Sequence, residues 1–127
     1  MNELEIFKVE KGAETLVKQI DFGRLIAGGP PVTKVYKVKI LDKVDSLRLI
    51  IKKLDDLDVS VVTINEGDDP ESLLQLVSEG TEIPLTKGGK ESLLAGDQIS
   101  FAIKVEPRVG GKYNPEFELS YLIVPKR

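Results

Sequence analysis

The chain has 127 residues, 41% of them hydrophobic and 31% charged, with a formal net charge of −3. That length fits one domain with one core, and that balance excludes wholesale disorder and fibrous repeats. Neither cysteine nor histidine occurs. Disulfides and thiolate metal sites are therefore excluded, and the commonest general base, serine-activating partner and transition-metal ligand is missing.

Acidic and basic residues are interspersed, and "KVYKVK" is the only stretch approaching the basic stripe of a nucleic-acid binder, so no nucleic-acid partner is expected. Apolar runs such as that in "LRLIIKK" fall far short of the roughly 20 residues of a membrane span, and no membrane partner is expected. The opening "MNELEIFKVEKG" is acidic where a secretory signal would be positive. The chain is expected to remain where it is synthesised unless it leaves within an assembly.

In chain order, "LEIFKVE" and "ETLVKQIDF" read as two short strands parted by Lys11 and Gly12. Next comes "IDFGRLIAGGPP", residues 20 to 31. Its glycines match neither a dinucleotide fingerprint nor a phosphate loop, and no helix follows to hold a phosphate. It reads as a corner: Gly28 and Gly29 supply unusual backbone angles, Pro30 and Pro31 deny ladder hydrogen bonds, and Asp21, Phe22 and Gly23 close the first sheet edge.

From Thr33 to Ile40 the residues alternate, with Tyr36, Val38 and Ile40 on one face and Val35, Lys37 and Lys39 on the other. After the connection "LDKVD", Leu47, Leu49 and Ile51 share a face opposed by Ser46, Arg48 and Lys52, with Ile50 the apolar exception. Residues 58 to 65, "DVSVVTIN", are rich in β-branched types and predict a third central strand.

The stretch "DDPESLLQLVSEG" carries helix marks, with Asp69 as N-cap, Pro70 at the first position and Gly80 as a stop. It also reads as a strand, a Ser-Glu-Gly turn and another strand with Leu74 and Leu76 inward; this reading is preferred because a neighbouring strand would otherwise go unpaired. Ile99, Phe101, Ile103 and Val105 then alternate with polar or small residues until Pro107, and after the loop "RVGGKYNPE" comes a last strand with Phe117, Leu119, Tyr121 and Ile123 on one face. "ESLL" occurs at 71 and at 91 in unlike surroundings and is no repeat.

Candidate sites each have a structural reading. "NEGDDPE", residues 65 to 71, offers oxygen ligands for calcium without the spacing of a helix-loop-helix site, and turn chemistry explains it. Asp55, Asp56 and Asp58 could act as paired carboxylates but stand beside Lys52 and Lys53 in a polar connection. "GGK" at 88 to 90 and at 110 to 112 reads as two hairpin tips. Phe22, Tyr36, Phe101, Phe117 and Tyr121 fall at inward positions, leaving Phe7 and Tyr113 as surface aromatics for a glycan. No catalytic, cofactor-binding or metal site is predicted, and no cofactor.

The succession "IDFGRLIAGG", "KVYKVKI", "SEG", "LLAGDQISFAIKVEP" and "GGKYNPEFELSYLI" resembles immunoglobulin-like β-sandwiches of the Hydin-like and major-sperm-protein-like kinds and small structural proteins of tailed bacteriophages. In the phage proteins the second half has a Ser-x-Gly turn, a Gly-led approach to a Phe and a Val-Pro-like end. Ser78 to Gly80, Gly96 to Phe101 and Val105 to Pro107 are similar. The resemblance spans roughly residues 18 to 124 and implies no active site.

The expectation is an all-β, immunoglobulin-like β-sandwich of about seven to nine strands in a single domain, 1 to 127, with one short helix near residues 70 to 78 as the alternative for that stretch. The function the resemblance implies is non-enzymatic: a bacteriophage virion component, capsid decoration or tail-associated, acting by protein–protein adhesion. Its partners would be capsid or tail subunits and its location the virion, with residues 4 to 9 as an edge strand open to homo-oligomer contacts. The alternative is a glycan- or cell-surface-binding sandwich.

Overall fold

A computed structural model describes residues 3–23, 25–26, 28–64, 69–108 and 113–123. Among these the strands are β1 (Leu4–Glu10), β2 (Ala13–Val17), β3 (Val32–Ile40), β4 (Val44–Lys53), β5 (Leu57–Ile64), β6 (Gln75–Val77), β7 (Glu82–Pro84), β8 (Ser92–Leu93), β9 (Gln98–Pro107) and β10 (Glu116–Ile123), with one helical turn, α1 (Pro70–Leu73). The strand beyond the expected seven to nine is β8, whose two residues are too short to show a period.

The strands form two antiparallel sheets, one in the order β2-β1-β3-β9-β5-β6 and one in the order β10-β4-β7, with β8 also on β4. The chain is an all-β sandwich. β1, β3, β9 and β5 stand in the order of strands A, B, E and D of an immunoglobulin-type fold, and β4 and β10 stand in the places of C and F.

Alternation explains the layering. Tyr36, Val38 and Ile40 of β3, Leu47, Leu49 and Ile51 of β4, Val59 and Val61 of β5, and Ile99, Phe101, Ile103 and Val105 of β9 are all buried, and they pack into one cluster between the sheets. Tyr36 lies opposite Phe101 in the β3–β9 register, with the rings stacked at 5.7 Å, a cross-strand aromatic pair at the centre of the core. Ile50, on the other face of β4, is half-buried.

The first hairpin turns at Lys11 and Gly12, both at positive φ, as a two-residue turn between twisted strands requires. β2 stops at Val17, short of the strand read from 14 to 22. β1 pairs with β2 on one side and β3 on the other, so residues 4 to 9 are interior and the edge is β2. A strand in first position along the chain gives no sign of which neighbours it acquires.

Both readings of residues 69 to 84 hold in part. Asp69 caps α1 by accepting from the Glu71 N–H, Pro70 opens the helix, and the helix ends after one turn. β6 and β7 do follow, but β6 pairs with β5 and β7 with β4, so the Ser-Glu-Gly stretch crosses between sheets instead of closing a hairpin. Leu76 points outward and is exposed, against the inward expectation, because the β5 register places Val77 opposite buried Val59.

Candidate interaction surface

The two sheets end differently on the two flanks of the sandwich. On one flank the chain itself crosses from β6 to β7 through Ser78–Thr81, where Gly80 N donates to Ile51 O and Ile51 N to Thr81 O. On the other flank the outermost strands are β2 above and β10 below, and each is paired on one side only. Among the described residues no backbone hydrogen bond joins either strand to anything on its outer side.

β10 is the longer of these edges. Phe117, Leu119 and Tyr121 turn half-buried toward the core, while Glu116, Glu118, Ser120 and Leu122 face outward and are exposed. Its register against β4 slips twice, and one slip coincides with Ser46 at φ 54 on β4. Such bulges add twist and bend to the pair. The Tyr121 hydroxyl donates to Glu3 Oε2 at 2.9 Å, bridging the lower edge to the start of β1; burial first, then the neighbouring carboxylate, pushes its pKa up.

The opening corner supports this flank. Asp21 Oδ1 accepts from Gly23 N at 2.8 Å with Gly23 at φ 63, an Asx turn. The Asp21 carbonyl accepts from Lys34 Nζ at 2.8 Å and from the Tyr36 hydroxyl at 3.2 Å, which pins the segment beneath β3. Burial pushes the Tyr36 pKa up to about 12. Phe22 is buried against Phe117 at 5.8 Å, with the Lys34 ammonium 5.1 Å from its ring centre.

Residues 18 to 23 thus plug the side of the core near the start of β10 without joining its ladder. A groove of about 490 Å³ separates Gln19, Ile20 and Asp21 from Asn114–Glu118. Further along, Gly28 sits at φ 66, whereas Gly29 is needed for space: a Cβ there would lie 2.9 Å from the Ile26 carbonyl oxygen, which accepts from the Gly29 N–H. The corner reading holds, with a different reason for each glycine.

At the upper edge, Glu14 of β2 accepts from Lys37 Nζ at 2.6 Å and Lys39 Nζ at 2.7 Å. These two ammonium groups, Lys37 first, hold its carboxyl down at about 2. Lys39 also lies 4.5 Å from the Phe7 ring centre. The lysines of "KVYKVK" are therefore engaged within the domain. At the far end of the flank, where Ile123 pairs with Val44 and Val44 with Leu93, the side chains of Leu41, Leu94, Leu122 and Ile123 are exposed.

The remaining candidates resolve into structural roles. Residues 65 to 68 of the calcium candidate lie outside the described residues; Asp69 is a helix cap, and Glu71 meets Lys104 and Thr33. Among the described residues no cluster of three acidic groups is placed to hold a metal ion. Asp55 sits in a turn at φ 52 and accepts from Asn114 N, and Asp58 pairs with Arg108. Lys87 and Lys90 bridge across Gly88 and Gly89 as a hairpin tip, while 110 to 112 lie outside the described residues. Phe7 and Tyr113 are both half-buried, and the Tyr113 hydroxyl is enclosed. What sequence reasoning missed was the identity of both edges, because edge status depends on pairing.

Comparison with protein-family models, with curated proteins and with solved structures finds no match to this chain.

Proposed function

We propose that this chain is a non-enzymatic structural and interaction protein that docks to its neighbours by strand addition along β10. Following the resemblance in its motifs, those neighbours are virion proteins of a tailed bacteriophage, with the chain serving as capsid decoration or a tail-associated component. The observation that carries the docking mode is the outer side of β10, eight residues long and without a strand partner among the described residues, at the position where an immunoglobulin-type sandwich places a further strand beside F. An extended segment there gains main-chain hydrogen bonds for affinity and side-chain pockets for specificity.

The other edges suit this task less: β6 and β7 have three residues each, and β7 ends in Pro84, which cannot donate to a ladder. The non-enzymatic reading is supported by the missing histidine and cysteine, and by Asp55, Asp58, Asp69 and Glu71 each having a turn, cap or ion-pair role. The glycan-binding alternative loses its platforms, since Phe7 lies against Lys39 and Tyr113 packs on the core.

Particles purified from an infected host are expected to contain the chain. Within them the outward amides of β10 exchange hydrogen far more slowly than in the isolated domain. Recovery only from the soluble host fraction would overturn the virion setting, and unchanged exchange in the particle would overturn the docking mode.

A further inference from the structure

The upper edge of the same flank differs from β10 in chemistry, and it is self-complementary. β2 runs Ala13, Glu14, Thr15, Leu16, Val17, and Lys18 follows it. Leu16 is 57% exposed on the outer face of the six-stranded sheet, opposite Phe7, although it stands in an otherwise regular ladder. Among the described residues Lys18 has no ion-pair partner.

Two copies joined edge to edge by an antiparallel β2–β2 ladder, with both cores on the same side of the joined sheet, must pair inward residues with inward and outward with outward. The two-fold axis therefore passes through one residue and its own copy. An axis at Glu14 sets acid against acid. One at Thr15 places Leu16 against Glu14 and Lys18 against Gly12, and one at Val17 places Leu16 against Lys18. An axis at Leu16 alone matches everything: Leu16 meets Leu16, Thr15 meets Val17 twice, and Glu14 meets Lys18 twice.

We propose that β2 is a homodimerisation edge, pairing antiparallel with β2 of a second copy about an axis through Leu16, so that two sandwiches share one continuous sheet. Glu14, already flanked by Lys37 and Lys39, extends that network across the interface to Lys18 of the second copy. Charges on an edge usually ward off another strand. Here their spacing admits one partner in one register.

The absence of native cysteine makes the test direct. The purified chain, with no phage component present, is expected to show a dimer in sedimentation that grows with concentration. Under mild oxidation Leu16→Cys gives a covalent dimer and Thr15→Cys does not, because directly opposite residues fall within disulfide reach. Lys18→Glu, which sets acid against acid twice, lowers the association constant about tenfold or more. Circular dichroism confirms folding, and all three positions lie on the exposed edge. Cross-linking through Thr15→Cys instead, monomeric behaviour of the unaltered chain, or indifference to Lys18→Glu would each overturn the proposal. None of these outcomes bears on β10, so the strand-addition reading stands or falls separately.

Discussion

The two flanks of the sandwich contrast in how their edges are closed. On the β6–β7 flank the chain crosses covalently between the sheets, and Leu85 just beyond the crossing is fully buried with its N–H donating to Leu47 O. On the β2–β10 flank the closure is made by side chains: Phe22 against Phe117, and Tyr121 reaching Glu3. The covalent crossing hydrogen-bonds its own backbone to β4, through Gly80 and Thr81 with Ile51, whereas the side-chain plug joins no ladder and, among the described residues, leaves the long outer side of β10 without backbone partners. The difference shows where a sandwich can be extended without being unfolded.

Four measurements test this contrast. The largest effect belongs to the closed flank: Leu85→Ala is expected to cost about 2–5 kcal/mol in denaturant unfolding, since a fully buried leucine leaves a cavity. Phe117→Ala on the open flank should cost about 2 kcal/mol, roughly half the figure for a fully buried phenylalanine, because it is only half-buried. Equal losses at the two positions would mean that the open flank is as tightly closed as the other.

Tyr36→Phe removes the hydroxyl that holds the Asp21 carbonyl and should cost about 1 kcal/mol, with faster amide exchange in residues 20 to 23. The same change has a pH signature. The folded-state pKa is raised to about 12 from 10.0, so the stabilisation is fully present below pH 10 and fades as the pH rises toward 12. Tyr36→Phe should lack that alkaline loss, and an unchanged profile would show that another group causes it.

The smallest effect is at the upper edge. Glu14 is depressed to about 2 from 4.5, so its contribution is present above the ordinary carboxylate range and is lost as the pH falls through that window toward 2. A carboxyl-carbon titration should place its midpoint near 2, and the double change Lys37→Met, Lys39→Met should return it upward. A midpoint unmoved by the double change would mean that the two lysines do not set it.

Much of the fold was legible because burial in a sheet has a period of two. Tyr36, Val38 and Ile40 in β3, the Leu47–Leu49–Ile51 row in β4, and the run from Ile99 to Val105 in β9 all read directly from alternation. The corner at residues 20 to 31 was legible through its Gly and Pro chemistry, although Gly29 acts by making room for the Ile26 carbonyl and not by its backbone angle. β8 was too short to read, and Leu76 was assigned inward because in a three-residue strand one residue of register decides the face.

The candidate surface was much less legible. Residues 4 to 9 and residues 13 to 17 have similar compositions of apolar and charged types, yet the first is enclosed by two neighbours and the second by one. The exposed Leu16, and Lys18 without an ion-pair partner among the described residues, carry no local signal; they acquire meaning only once β2 is known to be an edge.

By itself, then, the sequence determined the strand class, the corner, the inward rows and the absence of histidine and cysteine chemistry, since these follow from side-chain period and residue type. Which strands pair, which flank the chain crosses, and which strands lie at the edges of the two sheets follow only from the tertiary structure. Hydrogen bonding between strands is non-local: every strand offers donors and acceptors on both sides, and only the assembled sheet determines which of them remain open.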